Sequence, residues 1–402
     1  MKKSLIALAA LAAVSAASAQ SSVTLYGVVD IGYGVQNTQS RDGTGSLRSS
    51  GVMDGDNAGN RIGFRGTEDL GGGLKANFVV EQGISPTSGN LFMQRNNTAG
   101  QQVGTAASNT VVLGGTLPGA STGFSTATNR QSYVGLSSDS IGTFNIGYQY
   151  TINYELGTLS GYNIGSEGIP GAFVHLLGNT IVGGTRANGM TYISPSFGGG
   201  FTVRAQYGAN GANPESARLV TAGVSASENT GRRFGLMGQY ANGPLSASLG
   251  YTTLRSTTVG GGTIPAGTAN VNTASRSANL TQLGASYDFG VVKLAGTYNT
   301  GKDGGTVGST VSSRYRSYQV GLSAPFGAVV PFVSLGRGYI LADGGGARTA
   351  DYKQAQVGVR YSLSKRTTAY AMYGRMTDDA ATIANGNAYK DTKTVVGVAH
   401  SF

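Results

Sequence analysis

Thr394-Val395-Val396-Gly397-Val398-Ala399-His400-Ser401-Phe402 brings the chain to a stop on an aromatic residue, with no polar tail. Chain ends fray unless something ties them down, so this stretch predicts a last strand held by a partner. Val396, Val398 and Phe402 fall on one face of it, with His400 among them, while Ala399 and Ser401 fall on the other. Period-2 patterning of this kind is what a pleated strand between two different environments requires.

The same alternation recurs upstream. Ile62 and Phe64 oppose Arg61, Gly63 and Arg65. Leu74, Ala76, Phe78 and Val80 oppose Lys75, Asn77, Val79 and Glu81. Phe201, Val203, Ala205 and Tyr207 oppose Thr202, Arg204 and Gln206, and Ala355, Val357, Val359 and Tyr361 oppose Gln356, Gly358 and Arg360. Segments of about ten alternating residues suit a tilted strand that crosses a bilayer. Sixteen are predicted, near 23–34, 59–67, 73–82, 130–138, 142–150, 188–195, 200–208 and 232–241, then 245–254, 280–288, 291–300, 314–323, 329–338, 354–363, 366–375 and 393–402.

Their connections alternate in length. Short turns such as Asp69-Leu70-Gly71-Gly72, Phe197-Gly198-Gly199 and Phe289-Gly290 trade places with long Gly/Ser/Thr/Asn-rich stretches at 36–58, 84–128, 151–187, 209–231 and 255–279. A rim of short turns and a rim of long loops is the plan of an outer-membrane barrel. An all-β, sixteen-stranded antiparallel transmembrane β-barrel is therefore expected. Closure answers the opening stretch: an unpaired edge in lipid costs several kcal/mol per backbone group, so the last strand must pair with the first. Val396, Val398 and Phe402 are then expected on the lipid face, with Phe402 at the periplasmic interface.

Composition agrees. The chain has 402 residues, 66 of them glycine, about twice ordinary usage, with 21 tyrosines and 13 phenylalanines. Met1-Lys2-Lys3, the apolar Leu5 to Val14 and the small Ala17-Ser18-Ala19 read as a signal peptide over 1–19, leaving a barrel over 20–402. Loss of Lys2 and Lys3 lowers the net charge from +10 to +8. There is no cysteine and only two histidines, His175 and His400, which excludes disulfides, thiolate metal sites and cysteine nucleophiles. No catalytic residue, cofactor or metal is expected, and the basic residues are scattered rather than clustered as nucleic-acid binding requires.

Three short motifs compete. Gly119-Ala120-Ser121-Thr122-Gly123 matches a nucleophile elbow but lies in a charge-free loop without the strand–turn–helix context. Gly296 to Lys302 resembles a phosphate loop, but Asp303 stands where a Ser or Thr is needed. Asp54-Gly55-Asp56-Asn57 could hold calcium and is read as a solvated outer-rim loop.

Ser22-Val23-Thr24-Leu25-Tyr26-Gly27-Val28-Val29-Asp30, Arg61-Ile62-Gly63-Phe64-Arg65-Gly66-Thr67-Glu68-Asp69-Leu70-Gly71 and Arg130-Gln131-Ser132-Tyr133-Val134-Gly135-Leu136 are the matching stretches of a wider likeness. With Tyr192-Ile193-Ser194-Pro195, Leu363-Ser364-Lys365-Arg366-Thr367 and His400-Ser401-Phe402, they resemble the general diffusion porins of β-proteobacteria. The resemblance implies a homotrimer in the outer membrane, beside lipid and lipopolysaccharide, passing small hydrophilic solutes and ions. It also implies a third loop, 151–187, folded inward to narrow the lumen, carrying Glu155 and Glu167. His400, Val398 and Phe402 match the terminal signal read by the barrel-assembly machinery. Two departures, Tyr148 and Ala399, each remove a positive charge that the family commonly carries.

A charge on the lipid face near the midplane costs about 2–4 kcal/mol, so Arg61, Arg65 and Lys75 should point inward, as should Asp30 and Glu81. These are the expected pore charges, with Arg186 added where the inward loop rejoins the wall. Arg130 is included as well, although it has the parity of Val134 and Leu136 and so could sit at the outer rim. Two alternatives stay open. A substrate-specific channel would use an aromatic ladder from Tyr154, Tyr162 and Phe173, and an adhesin would use loops 84–128 and 255–279.

Overall fold

The computed structural model describes residues 22–40, 46–87, 129–171, 182, 185–211, 228–260, 272–306, 312–342, 348–379 and 389–402. The expected signal peptide, the Gly119–Gly123 motif, Phe173 and His175 lie outside these residues. The first strands are β1 (Ser22–Ser40), β2 (Ser46–Asp54), β3 (Arg61–Gly71), β4 (Leu74–Gly83), β5 (Asn129–Ser138) and β6 (Gly142–Tyr150). Then come β7 (Arg186–Ile193), β8 (Phe201–Gly211), β9 (Glu228–Asn242), β10 (Leu245–Gly260), β11 (Asn272–Asp288) and β12 (Lys293–Thr306). The last are β13 (Ser313–Ser323), β14 (Val329–Ala342), β15 (Arg348–Ser362), β16 (Thr367–Asp378) and β17 (Tyr389–Ser401).

Seventeen segments make sixteen staves. Both β2 and β3 pair with β1, β2 along its upper half and β3 along its lower half. They are one stave interrupted at 55–60. Every other neighbour pair is antiparallel and sequential, and β17 closes the cylinder on β1 from Val28↔Ser401 to Ser40↔Tyr389. Closure reaches the final residue: Phe402 N donates to Gly27 O and Gly27 N to Phe402 O, each at 3.1 Å. A Cβ on Gly27 would collide with the Phe402 ring, so glycine there makes room for the terminal aromatic.

Large apolar side chains face outward, as the alternation predicts. Phe64, Val80, Val134, Leu136, Tyr207, Val357, Val396, Val398 and Phe402 are all exposed on the barrel. Glu81, Gln206 and Gln356, their inward neighbours, are buried. In water this arrangement would be inside out; in a bilayer it matches both solvents.

Several strands outrun the predicted ones. Pairing continues in β1 to Ser40, in β8 to Gly211, in β10 to Gly260 and in β15 from Arg348, so the expected loops 36–58, 209–231 and 255–279 are shorter than read. These extensions stand above the apolar belt, where backbone pairing needs no alternation of hydropathy; the pattern therefore stops before the strand does. The predicted short turn after Asp69 is formed, with Gly71, Gly72 and Gly73 all at positive φ (84°, 61° and 79°) where side chains are strained. Gly296 to Lys302 lies within β12, so no phosphate-cradling loop forms there.

Candidate functional site

After β6 the chain turns into the barrel. Thr151 caps a short turn, Ile152–Tyr154, that widens into a π-type turn, Glu155–Leu159. From there the segment runs along the inner wall in strand order, and glycines on the wall receive it. Ile152 lies on Gly235 of β9, Leu156 on Gly250 of β10 and Tyr162 on Gly284 of β11. Ile164 then lies on Gly321 of β13 and Ile169 on Gly374 of β16. Side chains at those wall positions would occupy the space the segment fills. Each apolar side chain so buried contributes about 1.5–3 kcal/mol.

Polar anchors fix the register. The Tyr162 hydroxyl meets Ser248 Oγ at 2.6 Å and Ser246 Oγ at 2.8 Å. Gln356 Nε2 donates to the carbonyls of Ser166, Ile169 and Pro170, and its Oε1 accepts from Ser166 N at 2.9 Å. Arg360 donates to Gly165 O at 2.6 Å and to Asn57 Oδ1 at 2.7 Å.

The second of those contacts brings in the interrupted stave. Residues 55–60, of which Gly55 to Asn57 belong to the expected solvated rim loop, are partly buried inside the barrel against the inward segment. Ser166 Oγ bonds Asp56 O, and Lys393 pairs with the buried Asp56 carboxylate. Asp54 accepts from Ser85 Oγ and Thr87 Oγ1. Among the described residues no cluster of three or more His, Cys, Asp or Glu stands in a metal-holding arrangement.

Between the inward segment and the wall lies an open space of about 710 Å³. Tyr26, Arg61, Arg65, Glu81, Arg130 and Tyr150 line its wall side; Tyr154, Asn163, Ser166 and Glu167 line its loop side. Glu81 organises the wall. Its carboxylate takes Arg130 Nε at 2.6 Å, Tyr26 OH at 3.1 Å and Tyr150 OH at 3.3 Å, with Arg61 Nε at 3.7 Å. The Arg65 guanidinium lies 5.2 Å from the Tyr26 ring centroid.

Arg130 faces Glu81 despite its parity, and the cause is a bulge. Glu81 pairs with Gln131, but Gln82 pairs with Asn129, so the register skips Arg130 and re-aims its side chain. Sequence alternation cannot show such a slip. Arg186 stands behind the lining rather than in it, 4.9 Å from the Tyr150 ring centroid and 5.9 Å from that of Tyr154.

Three more expected pore charges stand away from this space. Asp30 has no exposed surface: its carboxylate accepts from Asn57 N, Ala58 N and Tyr370 OH at 2.6–2.7 Å, which secures the 55–60 interruption. Lys75 sits opposite Asp69, beside the short turn, well below the space. Glu155 pairs with Arg204 at the start of the inward segment. Burial drives the Glu155 carboxyl above its ordinary range, while Arg204 pulls it down. Glu167 does line the space, taking a hydrogen bond from Tyr154 OH at 3.1 Å. Of the tyrosines of the aromatic-ladder reading, Tyr162 is fully buried beneath its β10 contacts, whereas Tyr154, nearly buried and stacked on Tyr150, lines the space.

A closed sixteen-stave cylinder, apolar outside and charged within, defines an outer-membrane diffusion channel. The profile of the Gram-negative porin family matches residues 7–381, and the chain belongs to that family. It is 34% identical, over the full length of both chains, to outer membrane porin protein 32 of Delftia acidovorans. To an outer membrane porin protein of Bordetella pertussis it is 30% identical, again over both full lengths. Among solved structures, the anion-selective porin from Comamonas acidovorans superposes with a TM-score of 0.65 at 27% identity, covering 95% of this chain and all of that one.

Proposed function

We propose that the inward segment is the constriction of this channel and that Arg61, Arg65 and Arg130 give it a preference for anions. The observation that carries the reading is the charge balance around the open space. Three guanidinium groups and one carboxylate, Glu81, line the wall, with Glu167 facing them from the loop. The Comamonas neighbour's anion selectivity supports the same sign. One unit charge acts on an ion ~4 Å away with about 1 kcal/mol in water, and more where protein displaces water. That amounts to roughly a fivefold bias, a mild selectivity.

The barrel works as a homotrimer in this reading, supported by family membership and by a trimeric barrel of the same fold from Vibrio cholerae. Residues 1–19 act as its export leader, and Phe402, paired to its last backbone groups, is the end presented to the assembly machinery.

Planar-bilayer recording under a salt gradient tests the assignment. The wild-type reversal potential takes the sign of anion preference, and Arg61→Ser with Arg65→Ser moves it toward cations. An unchanged potential in that variant removes these arginines from the selectivity of the pore.

A further inference from the structure

Two basic residues of the inner wall stand apart from the open space. Lys393 on β17 pairs with the buried Asp56 carboxylate and donates to Gly168 O at 3.3 Å. Arg360 on β15, lying over the Phe332 ring, donates to Asn57 Oδ1 at 2.7 Å and to Gly165 O at 2.6 Å. Each cation thus ties the 55–60 interruption to the inward segment, and neither lines the space. The two pieces also meet backbone to backbone, since a Cβ on Gly168 would fall on Gly55 and Asp56.

The interruption is built to enter the barrel. Gly55 turns it at a φ of 72°, where a side chain would be strained, and its N–H donates to Asp30 O at 3.1 Å. Asn60 brackets the same residue of β1, accepting from Asp30 N at 2.5 Å and donating to Asp30 O at 3.1 Å. At the far end Gly59 O accepts from Arg61 Nη1 at 3.1 Å, and a Cβ on Gly59 would crowd the Arg130 guanidinium. Residues 55 and 57–59 line the open space beside residues 165–168. The interruption therefore bridges the arginine wall and the inward segment around the edge of that space.

We infer that the 55–60 interruption is a second constriction element, and that Lys393 and Arg360 are positioning residues that lock it to the inward segment and so fix the width of the passage. The inference rests on the reading of that segment as the constriction. Lys393 is neutralised by Asp56, and Arg360 directs its donors to the two pieces, so both act through what they hold. Arg61, Arg65 and Arg130 then set which charge passes, and the locked block sets how large a solute passes.

The test compares Lys393→Met with Asp56→Asn, a pair of changes that leaves the net charge unaltered, with Gly168→Ala, which removes no charge and wedges the two pieces apart. Folded full-length barrels are recorded in planar bilayers and assayed by liposome swelling with neutral sugars of increasing size. Both variants spend about tenfold or more of the wild-type time in a lower conductance level, as loss of one charge-assisted bond requires, and admit the larger sugars more slowly. Their reversal potentials stay at the wild-type value. Lys393→Arg, which keeps charge and reach, behaves as wild type, and Gly168→Ala adds nothing further to Lys393→Met with Asp56→Asn. Quiet channels with wild-type sugar exclusion in both variants overturn the proposal, as does a reversal potential that moves as far as in Arg61→Ser with Arg65→Ser. Gly284→Ala, which crowds Tyr162 of the inward segment from β11, separates the two failures. If it alone is noisy, the lock is refuted and the constriction stands; if it too is quiet, the constriction reading falls and the lock with it.

Discussion

Gly284→Ala is the smallest perturbation that loosens the inward segment. A methyl at position 284 falls well inside 3.0 Å of the Tyr162 ring, closer than side-chain carbons approach, so the ring must move. Tyr162 has no exposed surface and holds two hydroxyl contacts on β10. Its burial contributes about 2–3 kcal/mol and each neutral hydroxyl bond about 1 kcal/mol, so this contact favours the docked segment by roughly 4 kcal/mol. At 1.4 kcal/mol per tenfold, that keeps the undocked form near one part in a thousand. Overpacking of about 1–3 kcal/mol, with loss of the hydroxyl geometry, offsets most of it and makes the two states comparable. Ile152, Leu156, Ile164 and Ile169 still hold on either side, so only the middle of the segment lifts into the lumen. In single-channel recording the variant therefore shows a second, lower conductance level and excess open-channel noise. Tyr162→Ala in the same chain removes the clash, and the double variant is no noisier than Tyr162→Ala alone. Gly284→Ala barrels that pass a heat-modifiability gel yet keep wild-type conductance and noise would refute the reasoning.

Glu81→Gln strips the carboxylate from Arg130 and Arg61; the channel becomes more anion-selective by reversal potential, and breaking a buried pair costs about 3–5 kcal/mol, read as a lower thermal unfolding temperature. Asp30→Ala leaves Asn57 N, Ala58 N and Tyr370 OH without their acceptor; at about 1.5–3 kcal/mol per bond to a charged group, calorimetry should show a loss of at least about 3 kcal/mol, with selectivity unchanged because Asp30 does not reach the space. Gly27→Val forces the Phe402 ring off β1 and exposes the closing backbone bonds, each worth several kcal/mol in lipid; heat-resistant barrel on semi-native gels should drop sharply.

The wall was legible because two solvents write it. Lipid outside and water inside force Phe64 and Arg65, or Val80 and Glu81, onto opposite faces, and the chain records this at every second residue. What lay beyond reach has three physical sources. Above the bilayer, pairing in β1 and β10 persists through Ser, Thr and Gly without any hydropathy signal. Bulges at Arg130 and beside Arg348 shift parity by one residue, which no alternating pattern can announce. Finally, the inward segment is held by partners remote in the chain, such as Tyr162 with Gly284 and Ser166 with Asp56, so glycine's abundance was visible while its service as a landing strip was not. Asp30 shows the same limit. Its inward parity was readable, but two of its three donors come from an interruption that looked like an outer loop.

Because the chain has no cysteine, single thiols can report on the wall directly. Arg65→Cys and Phe64→Cys place a thiol at adjacent residues, one lining the open space and one exposed on the apolar outer face. A charged, membrane-impermeant thiol reagent should label Arg65→Cys in reconstituted bilayers and reduce its conductance, while Phe64→Cys stays unlabelled and conducts normally. Labelling of both positions, or of Phe64→Cys alone, would contradict a sealed cylinder that is apolar outside and water-filled within.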